Sequence, residues 1–182
     1  MKIGFDLDRI FINYPPLVPA KLIDWLYKDH TKEDLSYRIP SYKVEQWFRK
    51  LTHLFFLRPQ IKYNIDFLHR FINTSTHSTY LISSRYQFLE DITLKILKKY
   101  HLDNSFTKIY LNQKNLQPHL FKTKIIKSLR LDLYIDDDLD LLHYLYQNCP
   151  RTKLLWYNPR RRKVHKNGVE QIDRLEEIER YL

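Results

Sequence analysis

Only two of the 182 residues are glycine and only one is cysteine. A single Cys149 excludes an internal disulfide. With no cysteine cluster, and no helical His-Glu-x-x-His pair among the eight histidines, a zinc centre has no support either. No apolar run approaches the ~20 residues that cross a bilayer, so no membrane partner is expected. The N-terminus runs straight into an apolar strand, without the basic n-region, apolar h-region and cleavage site of a secretory signal. A soluble, reducing, cytoplasmic setting is the expectation. Repeats and low-complexity segments are missing as well, which leaves one ordinary domain, long enough to bury roughly 70% of the surface its unfolded chain exposes.

The net charge is +10, the electrostatic footprint of proteins that bind phosphate. Scarce glycine goes together here with abundant Lys, Ile, Tyr and Asn, a bias that nucleotide composition alone can produce. Charge by itself is not a motif. A small anionic substrate, or composition bias, is therefore favoured over dedicated nucleic-acid binding.

What is present is concentrated near the start. Ile3-Gly4-Phe5-Asp6-Leu7-Asp8 is a short apolar run ending in two carboxylates. Such a run reads as a parallel strand covered on both faces, and in open α/β sheets ligands gather at the carboxyl ends of strands. If the extended conformation persists, Asp6 and Asp8 point the same way and Leu7 the other. At about 4 Å and an effective dielectric of roughly 20, two such charges repel by about 4 kcal/mol, so they must be solvated, share a proton or hold a cation. Three later stretches supply context: Thr79 to Arg85, an apolar strand ending in Ser83-Ser84-Arg85; Phe121 to Lys127, a basic helix start; and Leu133-Tyr134-Ile135-Asp136-Asp137-Asp138, another strand ending in acids.

These four stretches, in this order, resemble the signature of the haloacid dehalogenase-like superfamily of phosphohydrolases. The resemblance implies that Asp6 is the nucleophile, Asp8 the general acid/base, Ser83 the hydroxyl that holds the phosphoryl group and Lys122 the charge-balancing lysine. It also implies that Asp6, Asp8, Asp136 and Asp137 bind magnesium. The Ile-Ser-Ser-Arg and Ile-Asp-Asp stretches look most like the small deoxyribonucleotidase-type branch, which points to a small phosphorylated substrate such as a nucleotide. Two residues depart from the pattern: Arg9 stands where glycine usually follows the second aspartate, and Ile10 where threonine or valine is common. The residue types suit the chemistry independently. An aspartate can split one displacement at phosphorus into two through an aspartyl-phosphate; Mg2+ and a lysine can neutralise the phosphate; and Asp8 can protonate the leaving alkoxide and then take a proton from water.

The expected fold is α/β, a Rossmann-like parallel sheet flanked by helices, with a small α-helical cap inserted after the first strand. The core spans 1–11 and 58–182 and the cap about 12–57. Within the cap, Leu17 to Tyr27 and Tyr42 to Leu57 show helical spacing of apolar residues that include Trp25, Val44, Trp47, Leu51 and Leu54. Its aromatic residues are core at that spacing or platforms for a base, with Tyr14 the best candidate for substrate contact. Ile61 to Phe71 and Phe88 to Tyr100 read as helices, Lys108 to Leu111 and Lys153 to Tyr157 as strands, and Val169 to Tyr181 as a closing helix. Several assignments stay open. Ser84 competes with Ser83, and Lys124 with Lys122. Arg85 binds a substrate anion or forms a surface pair with Glu90 or Asp91, and Arg9 lies at the substrate mouth. Asp138 and Asp140 suit the start of the following helix. The run Arg160 to Lys163 is a solvated loop or a steering patch. Alternatives to the phosphatase are a catalytically silent member that binds through its basic surface and a polynucleotide-end phosphatase.

Overall fold

The five expected strands form at Lys2–Phe5 (β1), Ser78–Tyr86 (β2), Lys108–Asn112 (β3), Leu133–Asp136 (β4) and Lys153–Tyr157 (β5) in the computed structural model, which describes residues 1–15, 35–40, 42–54, 56–159 and 168–182. A sixth strand, Glu170–Ile172 (β6), extends the sheet, which is parallel throughout and ordered β3-β2-β1-β4-β5-β6. The chain winds outward from β1 to β3 and then returns to the other side of β1 as β4. The switch point between β1 and β4 is where an open α/β sheet offers a crevice beyond its carboxyl ends.

Alternation along the strands sorts the core into two layers. Ile3, Phe5, Leu81, Leu133, Ile135 and Leu155 belong to one layer. It includes helices Lys62–Thr74 (α2, after the cap helix α1 described below) and Glu90–Lys99 (α3) through Phe67, Leu68, Phe71, Ile96 and Leu97. Tyr80, Ile82, Tyr134 and Leu154 belong to the other, with Phe121 and Ile126 of Pro118–Leu129 (α4) and Leu141, Leu142 and Leu145 of Leu139–Asn148 (α5). Gly4 lies on this second face because a Cβ there would come within 2.5 Å of Leu131 and 2.8 Å of Tyr134. Packing, not backbone angle, demands the glycine. Asp6 and Asp136 continue the parity of Gly4 and Tyr134, so both carboxylates are presented on the α4 side.

The closing helix expected from Val169 to Tyr181 is not what forms. Glu170–Ile172 pairs with β5, Tyr157 lying opposite Ile172, and a 3-10 helix follows at Leu175–Tyr181. Ile172 is buried from the strand, and within the 3-10 helix the buried Leu175 and Ile178 lie three residues apart, the repeat of a 3-10 turn.

The insertion after β1 leaves and returns through paired stems: Ile12 bridges Gln60, Asn13 N–H donates to the Pro59 carbonyl at 2.8 Å, and Ile61 N–H to that of Phe11 at 2.8 Å. Its described helix is Lys43–Thr52 (α1). The expected helix from Leu17 to Tyr27 lies outside the described residues. Val44, Trp47 and Phe48 of α1 are exposed, so these apolar residues are not core as the spacing suggested. No helix among the described residues is long and apolar enough to cross a membrane.

Candidate active site

Lys122 binds the ends of β1 and β4 together. Its buried Nζ donates to Asp6 Oδ1 and to Asp136 Oδ2, each at 2.7 Å. Pro118 opens α4, placing Lys122 in its second turn, over the adjacent strands. Lys124, two residues on, is exposed and points elsewhere. Further donors hold both carboxylates: Tyr134 hydroxyl donates to the same Asp136 Oδ2 at 2.8 Å, Asp138 N–H to Asp136 Oδ1 at 3.0 Å, and Asp8 N–H to Asp6 Oδ2 at 2.9 Å. Asp138 caps α5, its carboxylate accepting from the Asp140 and Leu141 amides, and it also accepts from the Tyr37 hydroxyl at 2.8 Å.

Asp8 lies apart from this group. The strand stops at Phe5, and the chain turns so that the Phe11 and Ile12 amides donate to the Leu7 carbonyl. The extended conformation therefore does not persist to Asp8, although both carboxylates line one cavity. Arg85 grips the Asp8 carboxylate with Nε at 2.9 Å and Nη2 at 2.7 Å, and Arg58 Nη1 adds a third bond at 3.2 Å. Arg58 is itself locked, donating through Nε to the Thr52 carbonyl and through Nη2 to His53 Nε2 at 2.9 Å. An arginine cannot accept, so His53 carries its proton on Nδ1 and donates it to the Arg49 carbonyl at 2.7 Å. A chain of polar contacts thus runs from α1 of the cap to the second aspartate.

A cavity of about 340 Å³ opens over both groups. It is lined by Asp6, Asp8, Arg9, Lys122, Asp136 and Asp137 of the expected site, and by Ser84 and Arg85, expected to bind substrate. Ser83 is 1% exposed, inside the sheet, and is not among the residues that line the cavity. Ser84 has the parity of Ile82, the face on which Asp6 and Asp136 also lie. The pairing of β2 with β3 slips between Ser83 and Tyr86, and this irregularity lets consecutive Ser84 and Arg85 both reach the cavity. Arg85 is buried on Asp8 and Thr93 rather than paired with Glu90 or Asp91. Tyr14 lines the cavity beneath the Arg9 and Arg58 guanidiniums, 5.7 and 5.2 Å from its ring. Sequence reasoning missed Arg58, His53, Tyr37 and Trp156, whose indole N–H donates to the Asp137 carbonyl at 3.0 Å. Nothing in the local sequence marks them. The run Arg160 to Lys163 lies outside the described residues.

Charge in the cavity is unevenly matched. Burial, then repulsion from Asp136 and Asp8, pushes Asp6 up to about 7 against the pull of Lys122. Burial and the Asp136 and Asp6 carboxylates likewise push Asp137 well up, although Arg9 Nη1 lies 3.0 Å from its Oδ2. For Lys122 burial opposes the charge, but Asp136 and Asp6 outweigh it and hold its proton well above the usual range. At Asp8, burial is outweighed by Arg85 and Arg58, which hold its carboxyl well below the usual range. Asp6, Asp136 and Asp137 each offer an oxygen within 4.8 Å of the others. An all-oxygen set with unbalanced negative charge fits a hard divalent cation. Asp8, the fourth aspartate of the expected site, is held by two guanidiniums and is not in that set.

Arg9 has φ of 57°, a left-handed conformation that costs a residue with a Cβ roughly 1–2 kcal/mol. Glycine, the residue the resemblance implies there, would adopt it freely.

The whole fold is similar to a solved haloacid dehalogenase-like family hydrolase from Streptococcus pneumoniae, with a TM-score of 0.62 over 100% of this chain and 98% of that one. Identity between the two is 11%, so the likeness is one of fold. No family model and no curated protein matches the sequence.

Proposed function

We propose that this protein is a phosphomonoester hydrolase in which Asp6 attacks phosphorus and forms an aspartyl-phosphate. The observation that carries the reading is the Lys122 bridge between Asp6 and Asp136 at the switch point of the sheet. It leaves a nucleophilic carboxylate beside a fixed positive charge, at the floor of a cavity large enough for a small phosphorylated molecule. Asp6, Asp136 and Asp137 would hold Mg2+, which supplies charge neutralisation to the phosphoryl oxygens. Ser84, which lines the cavity, would hold the phosphoryl group, and Asp8 would be the acid and base for leaving group and water. A nucleoside monophosphate as substrate rests on the Ile82-to-Arg85 and Ile135-to-Asp137 resemblance and on Tyr14 as a platform for a base. The setting we propose is cytoplasmic.

A second reading, a catalytically silent binding module, is favoured by one observation: two guanidiniums hold Asp8, which a general acid must release to protonate. Phosphate release from a panel of phosphomonoesters, with and without Mg2+, separates the two. Hydrolysis that requires Mg2+ and falls by at least about 10³ in Asp6→Asn, with folding intact, supports the enzyme. Activity of Asp6→Asn within a few-fold of the wild type overturns the nucleophile. No turnover of any phosphomonoester leaves the binding module.

A further inference from the structure

Arg9 is at the one carboxylate of the Asp6, Asp136 and Asp137 set that Lys122 does not reach. We propose that Arg9 is a built-in counter-ion of Asp137 that a divalent cation must displace, so that Arg9 sets how tightly the site takes metal. The proposal deepens the functional reading above, since it rests on those three aspartates as a cation site.

The two internal cations differ in how they are held. Lys122 is 5% exposed and is fixed by two carboxylates at 2.7 Å. Arg9 is 20% exposed, at the edge of the cavity, with Nη1 on Asp137 Oδ2 at 3.0 Å. A cation held by Asp6, Asp136 and Asp137 would bring a second positive charge onto the carboxylate that Arg9 already pairs with. Releasing a guanidinium on a long stem requires no change in the core, whereas moving Lys122 would uncover two buried carboxylates. The released side chain stays near the mouth, where Tyr14 already lies under it. The left-handed backbone at Arg9 supports a role for this side chain. Glycine would fold there with less strain, so a retained arginine with its guanidinium aimed into an acidic cluster points to the site rather than to the turn.

Titration of the full-length protein with Mn2+, followed by the electron paramagnetic resonance of the free ion, tests this without substrate. An inactive protein therefore still returns an answer, and failure of the phosphatase reading is told apart from failure of this one. Arg9→Ala keeps the left-handed strain and removes the charge; Arg9→Gly removes both. Both variants are expected to bind Mn2+ about tenfold more tightly than the wild type, and Arg9→Lys to stay within about threefold of it. In an Asp137→Asn background the gain from Arg9→Ala should disappear. Unchanged or weaker binding in Arg9→Ala and Arg9→Gly overturns the proposal. The same gain with Asp137→Asn overturns it too, because Arg9 would then act as a diffuse charge, and so does an absence of Mn2+ binding in every variant.

Discussion

On the floor of the cavity one lysine serves Asp6 and Asp136 while Arg9 attends Asp137; at its roof two arginines serve Asp8 alone. Three carboxylates face two cations below, and one faces two above. The difference separates what each region can bind. The floor has negative charge left over and raised carboxyls, so it gains from an added cation. The roof is already overcompensated, and its acid is fixed in place by Arg58 and Arg85. One cavity thus combines a cation-seeking half built on strand ends with a self-satisfied half built from the cap stem and the β2 irregularity.

The largest break in this comparison is expected from Lys122→Ala. Losing the ammonium strands two buried carboxylates against each other, and urea unfolding should show a loss of about 3–5 kcal/mol, while exposed Lys124→Ala stays within about 0.5 kcal/mol. Equal losses for the two variants would mean that Lys122 does not join the floor. At the roof, Arg58→Ala removes bonds to Asp8, His53 and the Thr52 carbonyl, but Arg85 still grips Asp8 through two nitrogens. A smaller loss of about 2–3 kcal/mol is expected in the same assay. If Arg58→Ala costs as much as Lys122→Ala, the roof is not redundantly held.

Turnover distinguishes the neighbouring serines. Ser84→Ala should lower kcat/KM by about tenfold or more, while Ser83→Ala, buried in the sheet, leaves it within about twofold. The reverse order would place the phosphoryl hydroxyl on the opposite face of β2.

The smallest effect concerns His53. Burial, then the Arg58 and Arg85 charges, holds its ring well below the ordinary histidine range. Because the folded value is depressed, the native state favours the neutral ring: the contribution to stability is full above the unfolded value of about 6.5 and is lost as pH falls towards the folded value. Between pH 6.5 and 5.5 the wild type should lose about 1 kcal/mol more than His53→Gln. Parallel stability curves for the two proteins in that interval would show that His53 is not held neutral.

The amino-acid sequence by itself determined the five central strands, and with them the edge at which Asp6, Asp136 and Asp137 would meet; Lys122 came from the resemblance. Each strand is an apolar run whose meaning is local, and a carboxylate at its end marks the ligand edge wherever the strand is placed in a parallel sheet. Between Lys122 and Lys124 the sequence left the choice open, and it is the packing of α4 on the strands that buries the first and exposes the second. Only the tertiary structure decided the rest. Ser84 over Ser83 depends on which face of β2 aligns with β1, and on an irregularity against β3 that no residue in Thr79 to Tyr86 announces. Strand β6 exists because Leu155, Trp156 and Tyr157 offer it a free edge. Asp8 separated from the cation set because Arg58 and Arg85, 50 and 77 residues away in the chain, converge on it. Charge pairing of that kind depends on where long side chains end in space, and the order of residues along the chain does not encode that distance.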